Sequence, residues 1–92
     1  MIDEKSFEAR LRREGFPEIR TNQLAPGCHN TEHSHGFDVL ALVLDGEITL
    51  TVDGNARLYR AGDEFSMQAG CKHVEDVGPK GVRYLVGRRP VP

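Results

Sequence analysis

The feature that most constrains the fold is a series of short apolar or alternating segments, separated by turn sequences, from Glu18 onward. Asp45-Gly46 and Asp53-Gly54 are typical of hairpins, because glycine adopts a positive φ without a clash at Cβ. Gly62-Asp63 and Gly78–Gly81 indicate further turns. Short strands at regular spacing predict an all-β sandwich or barrel instead of an α/β fold. The predicted strands are Glu18–Leu24, Cys28–His35, Asp38–Leu44, Glu47–Val52, Ala56–Arg60, Asp63–Gln68, His73–Val77 and Val82–Gly87.

Two of these segments differ in their pattern of apolar residues. Val39–Leu44 is continuously apolar, so we expect both faces of this strand to be covered by other parts of the protein. Glu47–Val52 alternates, which places Ile48, Leu50 and Val52 towards the core.

One helix is predicted, over Asp3–Arg13. Phe7 and Leu11 lie four residues apart and therefore share one face of it. Asp3 can cap its first turn, and Gly15 is a typical C-terminal stop. A chain of 92 residues is long enough for one domain only. We expect residues 1–17 to form an N-terminal helix and turn, and residues 18–92 to form a single β-barrel domain.

Composition and charge exclude several classes of function. Hydrophobic residues make up 38% of the chain and charged residues 28%, as in folded globular proteins. A net charge of −2 gives no electrostatic reason to expect a nucleic-acid partner. No apolar run approaches the ~18 residues of a membrane span, and the first residues lack the order of a signal peptide. We therefore expect a cytoplasmic protein whose two cysteines are free thiols.

The residues with the clearest chemistry are histidines. His33 and His35 are two apart, so on a strand both imidazoles point to the same side. His73, arriving from a distant strand, would complete a site for a divalent metal ion. His29 and Cys71 could also reach such a site. An exposed imidazole at the barrel mouth and a buried structural thiol are the simpler interpretations of these two residues.

At these residues the chain resembles the cupins, a superfamily of double-stranded β-helix, or jelly-roll, proteins. The first cupin motif runs Gly, five residues, His-x-His, three or four residues, Glu, six residues and Gly. The chain fits it at Gly27, His33, His35 and Gly46. The second motif runs Gly, five residues, Pro-x-Gly, two residues, His, three residues and Asn. The chain fits it at Gly62, Gly70 and His73. The resemblance covers about Leu24–Val86 and implies a cupin jelly-roll barrel.

The resemblance implies that His33, His35 and His73 bind one metal ion inside the barrel, with the motif Glu as fourth ligand. Val39 occupies the place of that Glu and cannot coordinate a metal. Asp38, one residue earlier, could coordinate it if a bulge turned the strand by one place, since a one-residue slip exchanges its faces. Alternatively the site has three His ligands only, as in cupins resembling thiol dioxygenases. The implied cofactor is a divalent transition metal: Fe, Mn, Zn, Ni or Cu.

Three functions are compatible with these residues. The first is a metal-dependent enzyme acting on a small molecule, with oxygenation, isomerisation or decarboxylation as the reactions that the resemblance implies. No unequivocal general acid or base stands beside the metal site in the sequence. The second is a non-catalytic module that binds or senses a small ligand. The third, a cupin that has lost its metal, is disfavoured because all three His are in register.

The resemblance and the small size of the domain also predict a homodimer. The outward-facing region of Thr49, Thr51 and Tyr59 is the candidate surface for this contact.

Overall fold

The computed structural model describes residues 2–91, in which one helix precedes six strands. The elements are α1 (Glu4–Arg13), β1 (Glu18–Leu24), β2 (His29–His33), β3 (Phe37–Val52), β4 (Asn55–Arg60), β5 (Glu64–Met67) and β6 (His73–Pro90). The predicted domain limits at residues 1 and 92 lie outside the described range. Between residues 2 and 91, no helix combines the length and the hydrophobicity needed to span a membrane. The expected cytoplasmic location and homodimer stay predictions.

The barrel is built around two long strands, β3 and β6, that pair with each other in antiparallel fashion. Residues 37–46 of β3 pair with residues 82–90 of β6, and β5 and β1 flank this half of the sheet. Residues 48–51 of β3 pair with residues 74–77 of β6, and β4 and β2 flank the other half. The two halves enclose a shared interior, which confirms the predicted all-β jelly roll with one short N-terminal helix.

Two of the predicted chain reversals are wrong. β3 continues through Asp45-Gly46, where its register with β6 shifts and Gly46 has a φ of 74°. A Cβ atom at Gly46 would collide with the carbonyl oxygen of Gly81, so the two long strands touch backbone to backbone at this bend. Gly78–Gly81 likewise lies within β6. Glycine with positive φ therefore bends a continuous strand here, whereas Asp53-Gly54 forms the predicted hairpin between β3 and β4.

β3 is apolar on both faces because both faces are covered, as predicted. Val39, Ala41 and Val43 belong to a buried cluster in the barrel interior. The alternate residues of β3 form a second buried cluster with α1 on the outside of the sheet, consisting of Phe7, Leu11, Phe16, Leu40, Leu42, Leu44 and Leu85. The protein thus has two apolar layers with β3 between them.

Helix α1 begins one residue after its predicted start, because Asp3 is its cap. The Asp3 carboxylate accepts a hydrogen bond from the backbone N–H of Ser6 at 2.9 Å. Gly15, at a φ of 81°, follows the helix end. The buried residues Phe7 and Leu11 face the sheet. A Cβ atom at Gly87 would lie 2.7 Å from Cδ2 of Leu11, so the helix rests directly on the β6 backbone.

Candidate metal centre

Strand pairing brings the three histidines of the two motifs together. His33, the last residue of β2, pairs with His73, the first residue of β6, and His35 follows two residues later. The ring centroids lie 5.0 Å apart for His33 and His35, 4.4 Å for His33 and His73, and 5.3 Å for His35 and His73. The N–H of Gly70 donates to the carbonyl oxygen of His35 at 2.8 Å, which ties the two histidine-bearing segments to each other.

The distances among the imidazole nitrogens fit a single metal ion. One ring nitrogen from each of His33, His35 and His73 lies within 4.8 Å of the other two. Nitrogens bound at about 2.1 Å to one ion are about 3 to 4 Å from each other, so small ring rotations suffice. His73 is buried, and the other two side chains are half-buried. The cluster is therefore accessible from one side and closed on the other.

The backbone selects the tautomer that binds metals. Nδ1 of His33 lies 2.7 Å from the carbonyl oxygen of Thr31, and Nδ1 of His73 lies 3.1 Å from that of Cys71. Because a carbonyl only accepts, each Nδ1 donates its N–H, and in the neutral ring this places the lone pair on Nε2. Metal-binding histidines commonly donate their other N–H in this way.

Nε2 of His73 is the atom that most clearly lacks a partner. The residue is 1% exposed, and among residues 2–91 this nitrogen is the one buried side-chain N or O atom without a hydrogen bond. Native proteins rarely leave such an atom unsatisfied. A metal ion at the cluster would use its lone pair, so the residues present fit a metal.

The surroundings of His35 favour its neutral form. Burial lowers the pKa of this imidazole, and the neighbouring His33 and His73 lower it further. Its ring also stacks on Phe37, with centroids 4.8 Å apart and planes inclined by 13°. Since only the neutral ring has a free lone pair, this environment favours metal binding.

The structure does not bring Asp38 to the three imidazoles. β3 stays in register with β6 at this point, where Asp38 pairs with Arg89, so no bulge turns the carboxylate inward. Val39 belongs to the interior cluster. The Asp38 carboxylate accepts hydrogen bonds from the N–H of Ala69 at 2.9 Å and from Arg89 at 3.2 Å, and these donors lower its pKa. This placement argues against the sequence-based suggestion that Asp38 is a ligand.

His29 and Cys71 also lie outside the cluster. Nδ1 of His29, an exposed residue, lies 2.6 Å from the carboxylate of Asp76. The register of β2 with β6 shifts between Asn30 and His33, so His29 and His33 do not follow one regular alternation. Both cysteines are free thiols, as expected.

Sequence reasoning missed one acidic residue of the site, Glu75. Its Oε2 lies 3.5 Å from Nε2 of His73, and its Oε1 lies 3.9 Å from Nε2 of His33. The amide of Asn30 donates to Oε1 at 2.8 Å. Glu75 follows His73 by two residues on one strand, so the alternation rule that linked His33 to His35 could have found it.

A small cavity of about 30 Å³ lies beside the cluster. His35 and Glu75 line it together with Tyr84, whose pKa is raised by burial, so that its phenol stays protonated and can donate a hydrogen bond. Phe37 and Phe65 also line it. The remaining wall consists of Asn22, Val39, Met67, Val86 and Arg88.

The fold and the histidine positions can be compared with known proteins. A family model described as the cupin domain matches residues 21–86. The protein is a cupin. No curated protein sequence is significantly similar to this cupin.

Solved structures share the cupin fold at low sequence identity. A protein of unknown function from Rhizobium leguminosarum has a TM-score of 0.74 and 20% identity, and the match covers 79% of this chain and 69% of that one. An RmlC-like cupin from Shewanella frigidimarina has a TM-score of 0.68 and 23% identity, over 79% of this chain and 65% of that one. A variant of oxalate decarboxylase from Bacillus subtilis has a TM-score of 0.67 and 19% identity, over 78% of this chain and 20% of the enzyme. This cupin therefore spans less than two thirds of the Shewanella protein, and the likeness shows the fold alone.

Proposed function

We propose that this cupin binds one divalent transition-metal ion through Nε2 of His33, His35 and His73, and that it is a metal-dependent enzyme acting on a small molecule. The observation that carries the proposal is the buried, unpartnered Nε2 of His73, which lies among two other imidazoles. Leaving such an atom unsatisfied costs about 1–3 kcal/mol, and a metal bond would remove that cost. Fe, Mn, Zn, Ni and Cu are all candidates, since imidazole ligands do not choose sharply among them.

An enzymatic role draws support from the groups around the cavity. A bound ion would supply Lewis acidity or an activated water. The protein itself offers a protonated phenol at Tyr84 on the cavity wall, a hydrogen-bond donor for a polar molecule. The cavity holds about one water molecule, so the substrate is small or enters from the half-exposed side of the cluster. Oxalate decarboxylase, an enzyme with this fold, acts on a small molecule of that kind.

Metal analysis of protein purified without a His-tag tests the metal site. We expect about one equivalent of metal after loading and removal of excess, and His73→Ala should abolish it. Cys71→Ala is the matched control, because its side chain is close in sequence but outside the cluster. Less than about a tenth of an equivalent in the unmodified protein, or full binding by His73→Ala, would overturn the proposal.

A second experiment separates an enzyme from a binding or sensing module. The protein is loaded anaerobically with Fe(II), oxygen is admitted with a panel of small thiols, diketones and phenols, and oxygen consumption is followed. The same panel is incubated with the Mn(II) and Zn(II) forms, and NMR is used to detect isomerisation or decarboxylation. Turnover that His73→Ala abolishes supports the enzyme. Stoichiometric metal with no turnover in any form favours the module that binds a small ligand.

A further inference from the structure

A carboxylate lies among the imidazoles although the usual place for one, on β3, is occupied by Val39. Glu75 is two residues after His73 on β6, and its side chain points to the same side of the strand. The side chain is 13% exposed, with Oε2 3.5 Å from Nε2 of His73 and Oε1 3.9 Å from Nε2 of His33. Ligand atoms at about 2.1 Å from one ion are about 3 to 4 Å apart, and the 3.5 Å between Oε2 and Nε2 of His73 lies in that range.

The charge of Glu75 is not neutralised by a basic side chain. Within residues 2–91 the Glu75 carboxylate forms no ion pair with a lysine or an arginine, and the basic groups nearest to it are the imidazoles of His33 and His73. Asp38 offers the contrast, since Arg89 contacts its carboxylate at 3.2 Å. A largely buried carboxylate without a cation is costly. A divalent ion at the imidazoles would supply the missing positive charge.

Asn30 fixes the orientation of this carboxylate. Its amide donates to Oε1 of Glu75 at 2.8 Å, while Oε2 lies nearer to the unpartnered nitrogen of His73. The two residues are cross-strand partners of β2 and β6, so the contact is set by the register of the sheet. Oε2 is therefore the oxygen that remains available to an ion.

We propose that Glu75 is the fourth protein ligand of the metal centre and that Asn30 is its positioning residue. This inference rests on the proposed three-histidine site and deepens it. The protein would then supply its carboxylate from β6 instead of β3. A carboxylate oxygen suits Mn(II) better than imidazole does, whereas three imidazoles already suit Zn(II) and Cu(II). The substitution of Glu75 should accordingly weaken Mn(II) binding more than Zn(II) binding.

Calorimetric titration of the metal-free protein with Mn(II) and with Zn(II) tests the inference. We expect Glu75→Gln to raise the Kd for Mn(II) at least about 100-fold, the upper end of what outer-shell substitutions cost, and the Kd for Zn(II) by less. Asn30→Ala should raise the Kd for Mn(II) about 10-fold. Asp76→Asn, which removes the same charge from the adjacent, exposed residue of β6, should leave both constants unchanged.

Further variants distinguish ligation from long-range charge and from misfolding. Glu75→Asp keeps the charge but shortens the side chain by one methylene, so it should also weaken Mn(II) binding if the oxygen is a ligand. Thermal unfolding of the metal-free variants checks folding, and Glu75→Gln should be at least as stable as the unmodified protein because a buried charge is removed. Equal Mn(II) affinity in Glu75→Gln and the unmodified protein, or an effect of Glu75→Gln that Glu75→Asp does not share, overturns this inference and leaves the three-histidine site intact. Absence of binding by the unmodified protein overturns the proposed function itself.

Discussion

Replacing His73 with leucine is the perturbation that best separates a metal ligand from a structural histidine. Leucine fills a similar buried volume without a polar atom. If His73 serves only packing and its hydrogen bond, the substitution should affect the protein equally with and without metal. If His73 is a ligand, the loss of stability should be confined to the protein in the presence of metal.

The contacts of His73 give the size of each contribution to the free energy of unfolding. In the metal-free protein, losing the unpartnered Nε2 of a side chain that is 1% exposed gains about 1–3 kcal/mol. Losing the bond from Nδ1 to the carbonyl of Cys71, now 3.1 Å long, costs about 0.5–1.5 kcal/mol. We therefore expect metal-free His73→Leu to lie between about 0.5 kcal/mol less stable and about 2.5 kcal/mol more stable than the unmodified protein. At a metal concentration 1,000 times the Kd, the unmodified protein gains about 4 kcal/mol by linkage.

The assay is thermal unfolding with chelator and with excess metal. A gain of about 4 kcal/mol corresponds to a rise in Tm of roughly 15 to 30 °C for a domain of this size. His73→Leu should lose this rise, while its Tm in chelator should be unchanged or higher, and lower by no more than about 4 °C. Cys71→Ala should keep the full rise. A metal-dependent rise that survives in His73→Leu, or a large loss of Tm already present in chelator, would refute the reasoning.

Three further predictions concern the fold. Gly46→Ala should destabilise the protein by more than about 4 kcal/mol or prevent folding, because the new Cβ would collide with the Gly81 carbonyl. Gly54 also has a positive φ but has open space around it. Urea unfolding should therefore show a far smaller loss of stability for Gly54→Ala. Leu11→Ala, which empties a fully buried position under α1, should cost about 2–5 kcal/mol without changing metal affinity in calorimetry. Asp38→Asn should flatten the pH dependence of metal-free stability at acid pH. The pKa of the Asp38 carboxyl is lowered in the folded protein, so its ionised form stabilises the fold at pH values above the unfolded pKa near 4. This stabilisation is lost as the pH falls through the folded pKa. An unchanged slope in acid unfolding titrations would contradict this role.

The histidine cluster was predictable from one local relation and one resemblance. The i, i+2 relation of His33 and His35 is local, whereas His73 was assigned to the same site by its place in the second cupin motif. The two apolar faces of β3 follow from its unbroken apolar run, which is also local.

The parts that sequence reasoning missed depend on contacts between distant segments. A glycine with positive φ, such as Gly46, is compatible both with a hairpin turn and with a bend in a continuous strand. The residue type alone therefore does not show which of these two structures the chain adopts. The contact with the Gly81 backbone decides the outcome, and that contact exists only in the folded sheet. The proposed fourth ligand differs in this respect, because the motif place at Val39 favoured Asp38 although the i, i+2 relation of His73 and Glu75 could have indicated Glu75. The pairing of β2 with β6 instead puts Glu75 beside the imidazoles.

Diffraction from metal-soaked crystals, with data on both sides of the metal absorption edge, tests the central claim most directly. We predict one anomalous peak about 2.0–2.3 Å from a ring nitrogen of each of His33, His35 and His73. No peak at saturating metal, or a peak only at a surface pair such as His29 and Asp76, would contradict the account.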